Sequence, residues 1–294
     1  MFKDSLLTGQ RILVTGGGSG LGLEFSEAFA ALGAEVHICG RRGSVLEKTA
    51  VEIVEKTGGQ IFAHTVDIRD AGAVDKMIDS IWHKSGPLTG LVNNAAGQIM
   101  SPTNKLSTRG FDAVAATVFH GTYYTTHSVG RRWIDEGLKG NVISILVTWI
   151  WSGSPYVVPS AMSKAGIYSM TKSLATEWAQ YGIRLNAIAP GPFPTEGAWA
   201  RLHPEAKSGN EEKDVARIPM GRYGEMYELR NLAIFLMADG CDYLTGQAIA
   251  IDGGGHLGNG GNYAHLASRT EEEWSKVKDM AKAASDQDKA LRGT

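Results

Sequence analysis

One stretch limits the folds open to this chain more than any other: Thr15-Gly16-Gly17-Gly18-Ser19-Gly20-Leu21-Gly22. It lies between a β-branched run, Arg11–Thr15, and an amphipathic run, Leu21–Leu32. A strand that turns straight into a helix needs positive φ angles and close backbone approach, and glycine supplies both. The helix that follows offers unpaired N–H groups and the positive end of its dipole, which suit a phosphate, and a pyrophosphate above all. A plain surface turn can carry the same residues, so the flanking strand and helix decide between the two readings.

The same alternation continues along the chain. Strands are predicted at Glu35–Cys39, Gln60–Val66, Gly90–Asn94, Asn141–Thr148, Ile183–Ala189 and Gln247–Ile251. Helices are predicted at Val45–Lys56, Ala73–His83, Phe111–Asp135, Ser160–Tyr181 and Glu225–Ala238. Alternating strands and helices make a parallel sheet covered on both faces, an α/β, Rossmann-type doubly wound fold. At roughly 150 residues per domain, 294 residues suggest two units, but such sheets often grow to this length as one. The chain is therefore read as a single dinucleotide-binding and catalytic domain over residues 1–294.

Two regions depart from the alternation. Pro190–Pro219 contains Pro190, Pro192, Pro194, Pro204 and Pro219 after a predicted strand, where such sheets place ligand-covering loops. Segment 190–220 is read as the substrate cover, with Trp199 and Arg201 in it. The glycine-rich stretch Gly253–Asn262 opens a C-terminal tail, 256–294, ending in a predicted helix, Thr270–Ala284, capped by Thr270.

Bulk properties exclude several classes. A net charge of −2 with 20% charged residues gives no footprint for nucleic acid or an anionic membrane. The longest apolar stretch, Val142–Trp151, is too short to span a bilayer. Met1–Gln10 has no secretory pattern, and Cys39 and Cys241 read as reduced, buried thiols, so a cytoplasmic setting is expected. The eight histidines have no metal-ligand spacing, and no metal is expected. His120 and His127 share a face of the long helix and read as surface or subunit contact.

Thr15, Gly16, Gly18, Ser19, Gly20, Leu21 and Gly22 are the expected pyrophosphate cradle. The second strand ends Cys39-Gly40-Arg41-Arg42, without the carboxylate that would accept the ribose hydroxyls of NAD. Arg41 and Arg42 suit a 2′-phosphate, so NADPH is the expected cofactor, although both are also compatible with plain solvated charge. Asp67 and Ile68 are expected at the adenine edge. Asn94, Ala95, Ala96 and Gly97 are expected to pass close to the cofactor, as are Pro190 and Gly191.

The pattern Thr-Gly-x-x-x-Gly-x-Gly, then Asn-Asn-Ala-Ala-Gly at 93–97, Ser-x-x-x-Lys at 160–164 and Pro-Gly-Pro at 190–192 resembles the short-chain dehydrogenase/reductase family. Val157–Gly166, Ser173–Trp178 and Ile218–Arg222 look like its mitochondrial-type 2,4-dienoyl-CoA reductase branch. The resemblance implies Ser160 and Lys164 as catalytic residues, an acyl-thioester substrate in fatty-acid β-oxidation, and a homotetramer. Most of the family carries a Tyr four residues before the Lys; Ser160 stands there, as in the dienoyl-CoA branch. That branch places its Tyr fifteen residues before the Lys and an Asn directly after Asn-Asn-Ala-Ala-Gly. Here those positions are Trp149 and Gln98.

Carbonyl reduction needs an acid for the alkoxide, and an indole N–H is a donor but no useful acid. Dienoyl-thioester reduction asks instead for donors to the thioester oxygen, each worth roughly 3 kcal/mol. Trp149 and Gln98 are candidate donors; the alternatives are a pocket wall and a loop amide. Lys164 is expected to bond the nicotinamide ribose. Ser160 is read as a substrate or network contact, or as the helix N-cap. Tyr156 is a reserve acid or a wall residue. An oxidoreductase for another carbonyl or alcohol, and a cofactor-binding protein without turnover, stay open beside the leading reading.

Overall fold

The computed structural model describes residues 1–195, 215–258, 270–273, 275–276 and 279–280. Its contacts divide the chain into Met1–His256 and Leu257–Thr294. The larger unit holds a seven-stranded parallel sheet ordered β3-β2-β1-β4-β5-β6-β7. The strands are β1 Arg11–Thr15, β2 Glu35–Gly40, β3 Gln60–Thr65, β4 Gly90–Asn93, β5 Gly140–Ile145, β6 Ile183–Pro190 and β7 Ala248–Ile251. The order reverses between β1 and β4, which opens a crevice at their carboxyl ends.

Alternate residues of a strand face opposite sides of the sheet, and the core divides accordingly. Ile12, Val14, Val36 and Ile38 pack with Phe25 and Phe29 of α1 (Gly20–Ala31) and with Leu229 and Leu236 of α8 (Met226–Met237). Leu13 and Cys39 face the other way. They pack with Val74 and Ile78 of α3 (Ala71–Lys84), Trp133 of α5 (Gly121–Asp135) and Trp178 of α7 (Val158–Trp178). The helix α2 (Gly43–Thr57) follows β2.

Side-chain caps set the starts of three helices in the larger unit. Asp70 accepts from Ala73 N at 3.0 Å before α3, and Ser107 accepts from Gly110 N at 3.1 Å before α4 (Thr108–Ala115). Glu225 and Glu228 form a capping box at α8. Thr270 and Glu273 bond reciprocally in the tail, and the described residues 271–273, 275–276 and 279–280 are helical. The rest of the predicted tail helix lies outside the described residues.

Three predicted elements differ. The helix expected over Phe111–Asp135 starts at Thr108 and contains a π turn, Ala116–His120, between α4 and α5. The strand expected to reach Thr148 ends at Ile145; Leu146 N still donates to Ile188 O at 2.7 Å, and the chain then coils into a short helix, α6 (Trp149–Ser152). The helix expected to start at Ser160 starts at Val158 with Val157 as its N-cap residue, so Ser160 is not a cap. Cys39 is buried as expected, whereas Cys241 is only half-buried. No described helix is long and apolar enough to cross a membrane.

Candidate active site

The first turn is tied to the far side of the crevice. Thr15 Oγ1 accepts from Asn94 N and Ala95 N, each at 3.0 Å, and Asn94 Nδ2 donates to Thr15 O at 3.0 Å and Gly16 O at 3.3 Å. Gly16 and Gly20 take φ of +67° and +55°, the left-handed region that favours glycine. A Cβ at Gly22 would lie 2.3 Å from Gly16 O, so only glycine lets α1 start so close to the turn. The turn and the N-terminus of α1 leave a cradle that fits a dinucleotide pyrophosphate, through Gly18, Ser19, Gly20 and Leu21. Thr195, beyond β6, reaches the same place: its Oγ1 would stand 3.9 Å from a Cβ at Gly20. Sequence reasoning had passed over Thr195 inside the proline-rich run.

Arg41 and Arg42 are exposed just past β2, and Arg42 Nη2 donates to Ser19 Oγ at 3.3 Å. A cation thus stands beside the cradle. Asp67 is engaged by Arg69, whose Nε donates at 2.9 Å, and this bond holds the carboxyl below its ordinary range. Ile68 is buried, and its side chain would clash with any side chain at Gly121. Its side chain belongs to the core. Ala96 is exposed, and a Cβ at Gly97 would meet nothing within 4 Å. Pro190 closes β6; Gly191 N donates to Ile251 O at 2.9 Å, and a Cβ there would lie 2.6 Å from Asp252 Cβ.

Ser160 and Lys164 stand one turn apart on α7, only 5% and 4% exposed. Lys164 Nζ donates to Ile145 O, the last carbonyl of β5. Burial pushes the ammonium down to about 8. Trp149, half-buried, opens α6 just past β5. Gln98 is exposed on the loop after β4. That loop is fastened to the one before α7, because Ser101 N donates to Tyr156 O at 2.9 Å. Tyr156 has φ of +65°, strained for a non-glycine residue, and a side chain 57% exposed. β5 and α7 therefore bring Lys164, Ser160 and Trp149 to one edge, whereas Gln98 is held there only through its loop.

A further group was missed in the sequence. Asp252, just past β7, accepts from Gly254 N at 3.0 Å, His256 N at 2.7 Å and His256 Nδ1 at 2.8 Å. The His256 ring leans on Trp151 with centroids 4.9 Å apart, and Trp151 meets Tyr168 edge-on at 6.3 Å. Lys172 Nζ sits 4.0 Å from the Tyr168 ring centroid, and its hydrogen bond lowers the phenol's pKa. The only sequence signal was a histidine after three glycines, which read as the start of a tail. A cavity of about 60 Å³ lies beside Asp252, walled by Phe193, Ile218 and Met220 from the predicted cover segment. Trp199, Arg201 and Pro204 lie outside the described residues. Among the described residues no cluster of His, Cys, Asp or Glu is placed to hold a metal ion.

The family model described as enoyl-(acyl carrier protein) reductase matches residues 6–256. A Caenorhabditis elegans protein named "Probable 2,4-dienoyl-CoA reductase 3" is 39% identical, over 98% of this chain and 94% of its own. A short chain dehydrogenase from Bacillus anthracis superposes with a TM-score of 0.77 at 38% identity, over 86% of this chain and 98% of its own. A Burkholderia cenocepacia gluconate 5-dehydrogenase, solved with NADP and tartrate, gives 0.80 at 29% identity, over 86% and 98%. The phosphate turn, the buried Lys164 at the end of β5 and these matches lead to one assignment: the chain belongs to the short-chain dehydrogenase/reductase family of oxidoreductases.

Proposed function

We infer that this protein is an NADPH-dependent reductase of 2,4-dienoyl-CoA or a related conjugated acyl thioester, acting in the cytoplasm in fatty-acid β-oxidation as a homotetramer. The observation that carries the reading is the buried Ser160 and Lys164 on α7, with Lys164 bonded to the last carbonyl of β5 and Trp149 opening α6 just past that strand. The identity to a protein named as a dienoyl-CoA reductase supports it. Arg42 beside Ser19 and the exposed Arg41 next to it, with no carboxylate ending β2, support NADPH over NADH. Segment 190–220 and tail 256–294 act with the sheet as one catalytic domain.

Bound NADPH supplies hydride to carbon. Gly18, Ser19, Gly20 and Leu21 hold its pyrophosphate, with Thr15, Gly16 and Gly22 shaping the turn. Arg41 and Arg42 meet the 2′-phosphate, and Asp67 with the backbone at Ile68 borders the adenine. Asn94, Ala95, Ala96 and Gly97 flank the nicotinamide half on one side, Pro190 and Gly191 on the other. Lys164 orients the ribose, which fixes the ring for transfer. Trp149 and Gln98 donate to the thioester oxygen, where charge collects as hydride arrives. Ser160 supports that pair.

The test follows loss of reduced-nicotinamide absorbance with 2,4-hexadienoyl-CoA, with NADH and crotonyl-CoA run alongside. Turnover with NADPH and the dienoyl thioester is expected, and Trp149→Phe should slow it by about 10²-fold. Tight NADPH binding with no thioester turnover would overturn the reading.

A further inference from the structure

Reduction of a conjugated acyl thioester ends with a proton reaching carbon, and the groups assigned so far include no acid for it. Trp149 carries an indole N–H, Gln98 an amide, and Lys164 is turned to the Ile145 carbonyl. His256 has the missing chemistry, since imidazole is the side chain whose charge changes near neutral pH. We propose that His256, oriented by Asp252, is the acid that protonates the reduced substrate. This rests on the thioester-reductase reading above.

Placement comes first. Asp252 Cβ is pressed against Gly191 at the carboxyl end of β6, the edge where doubly wound sheets bind their ligands. His256 Nδ1 is held by Asp252 at 2.8 Å, which leaves Nε2 as the ring nitrogen to carry the proposed proton. The ring is braced by Trp151, two residues past Trp149 on α6, and Trp151 is braced by Tyr168. The His256 side chain keeps 19% of its surface and the Asp252 side chain 6%. Among the described residues, the titratable groups around the ring are Asp252 just past β7, and Tyr168 and Lys172 from α7 behind Trp151. Burial raises the Asp252 carboxyl, but the bonds from His256 and Gly254 outweigh it and hold the group below its ordinary range. An ionised carboxylate therefore stands behind the imidazole, the arrangement that orients a histidine acid.

The step balances. Hydride from the reduced nicotinamide forms a C–H bond at the far carbon of the conjugated system, and the π electrons move to the thioester oxygen. As that pair returns, a second C–H bond forms with the Nε2 proton and the N–H bond breaks. The neutral imidazole then takes a replacement proton from water.

The experiment measures kcat for 2,4-hexadienoyl-CoA reduction against pH in wild type, His256→Gln and Asp252→Asn. NADPH binding is followed by fluorescence. Wild type is expected to lose turnover along the alkaline limb of its pH profile. His256→Gln should lower kcat about 10²-fold and abolish that limb while NADPH still binds. Asp252→Asn should lower kcat and alter the same kinetic limb while NADPH still binds. If His256→Gln keeps wild-type turnover and the same limb, the proposal is overturned. Should that variant not fold, an Asp252→Asn enzyme that keeps the wild-type kcat and the same limb overturns it equally. A wild type inert toward the dienoyl thioester overturns the functional reading and this proposal with it, whereas an active wild type beside an equally active His256→Gln overturns this proposal alone.

Discussion

Lys164 shows at the scale of one residue what a site costs the fold. Its ammonium is 4% exposed, and burial lowers it from 10.5 to about 8. The folded chain thus binds this proton more weakly than the unfolded chain does. Below about 8 the group is charged in both states and folding bears the full desolvation cost. As pH rises from about 8 towards 10.5 the folded state sheds the proton first, and the cost is relieved. Lys164→Met is therefore expected to raise stability at neutral pH and to remove the gain wild type shows above pH 8. Turnover should fall by about 10²-fold as the ribose loses its anchor. Urea titrations across pH check the first part and steady-state kinetics the second; a variant less stable than wild type at neutral pH would contradict it. At this scale the phosphate turn was legible, because positive φ and close approach write themselves as glycines. Asp252 and His256 were not legible, because their bond spans a glycine run whose path the sequence does not state.

At the scale of elements, periodicity located nearly every strand and helix, and the misses have local causes. The long helix starts early because Ser107 caps it, and the π turn over Ala116–His120 leaves no mark in an apolar pattern. His120 lies in that turn and meets Tyr124 at 6.1 Å, His127 stacks on Tyr123 at 5.6 Å, and the two tyrosines meet at 6.2 Å, so both exposed histidines belong to one surface aromatic cluster. Polar contacts between elements were equally invisible. Asp75 of α3 accepts from Ser128 Oγ at 2.6 Å, Arg131 Nη2 at 2.7 Å and Arg132 Nη1 at 2.9 Å, all on α5. Ser128 first, then the two guanidinium groups, hold the carboxyl far below its ordinary range. Its folded pKa is depressed, so the stability it adds is present above about pH 4 and is lost as pH falls. The Asp75 side chain is 39% exposed, which screens the charges, but the Arg132 side chain is only 10% exposed and depends on its partners. Asp75→Asn should cost about 1–2 kcal/mol at neutral pH and flatten the acid side of the stability profile. Chemical denaturation at neutral and acid pH checks it; an equal loss at both would assign the effect to packing.

At the scale of the whole molecule, the parallel strands put the carboxyl ends that carry the site at one edge of the sheet, and the reversal between β1 and β4 opens the crevice there. The side carrying α4, the π turn and α7 is then left to account for. Phe119 is 40% exposed, Tyr123 47% and Met162 57%. Phe119 lies over Gly166 of α7, where a Cβ would stand 2.6 Å from its ring, so the two helical segments form one apolar surface. Large side chains exposed together are unfavourable on an isolated subunit and ordinary in a subunit interface, which buries about 800 Å² on each partner. The homotetramer proposed above would bury this surface. Tyr123→Glu puts a charge at its centre without touching the cofactor turn or Lys164, so the subunit should still fold and bind NADPH. Sedimentation velocity is expected to give a tetramer for wild type and a smaller species for Tyr123→Glu. Wild type sedimenting as a monomer would remove the tetramer, and a Tyr123→Glu tetramer would place its contacts on another face.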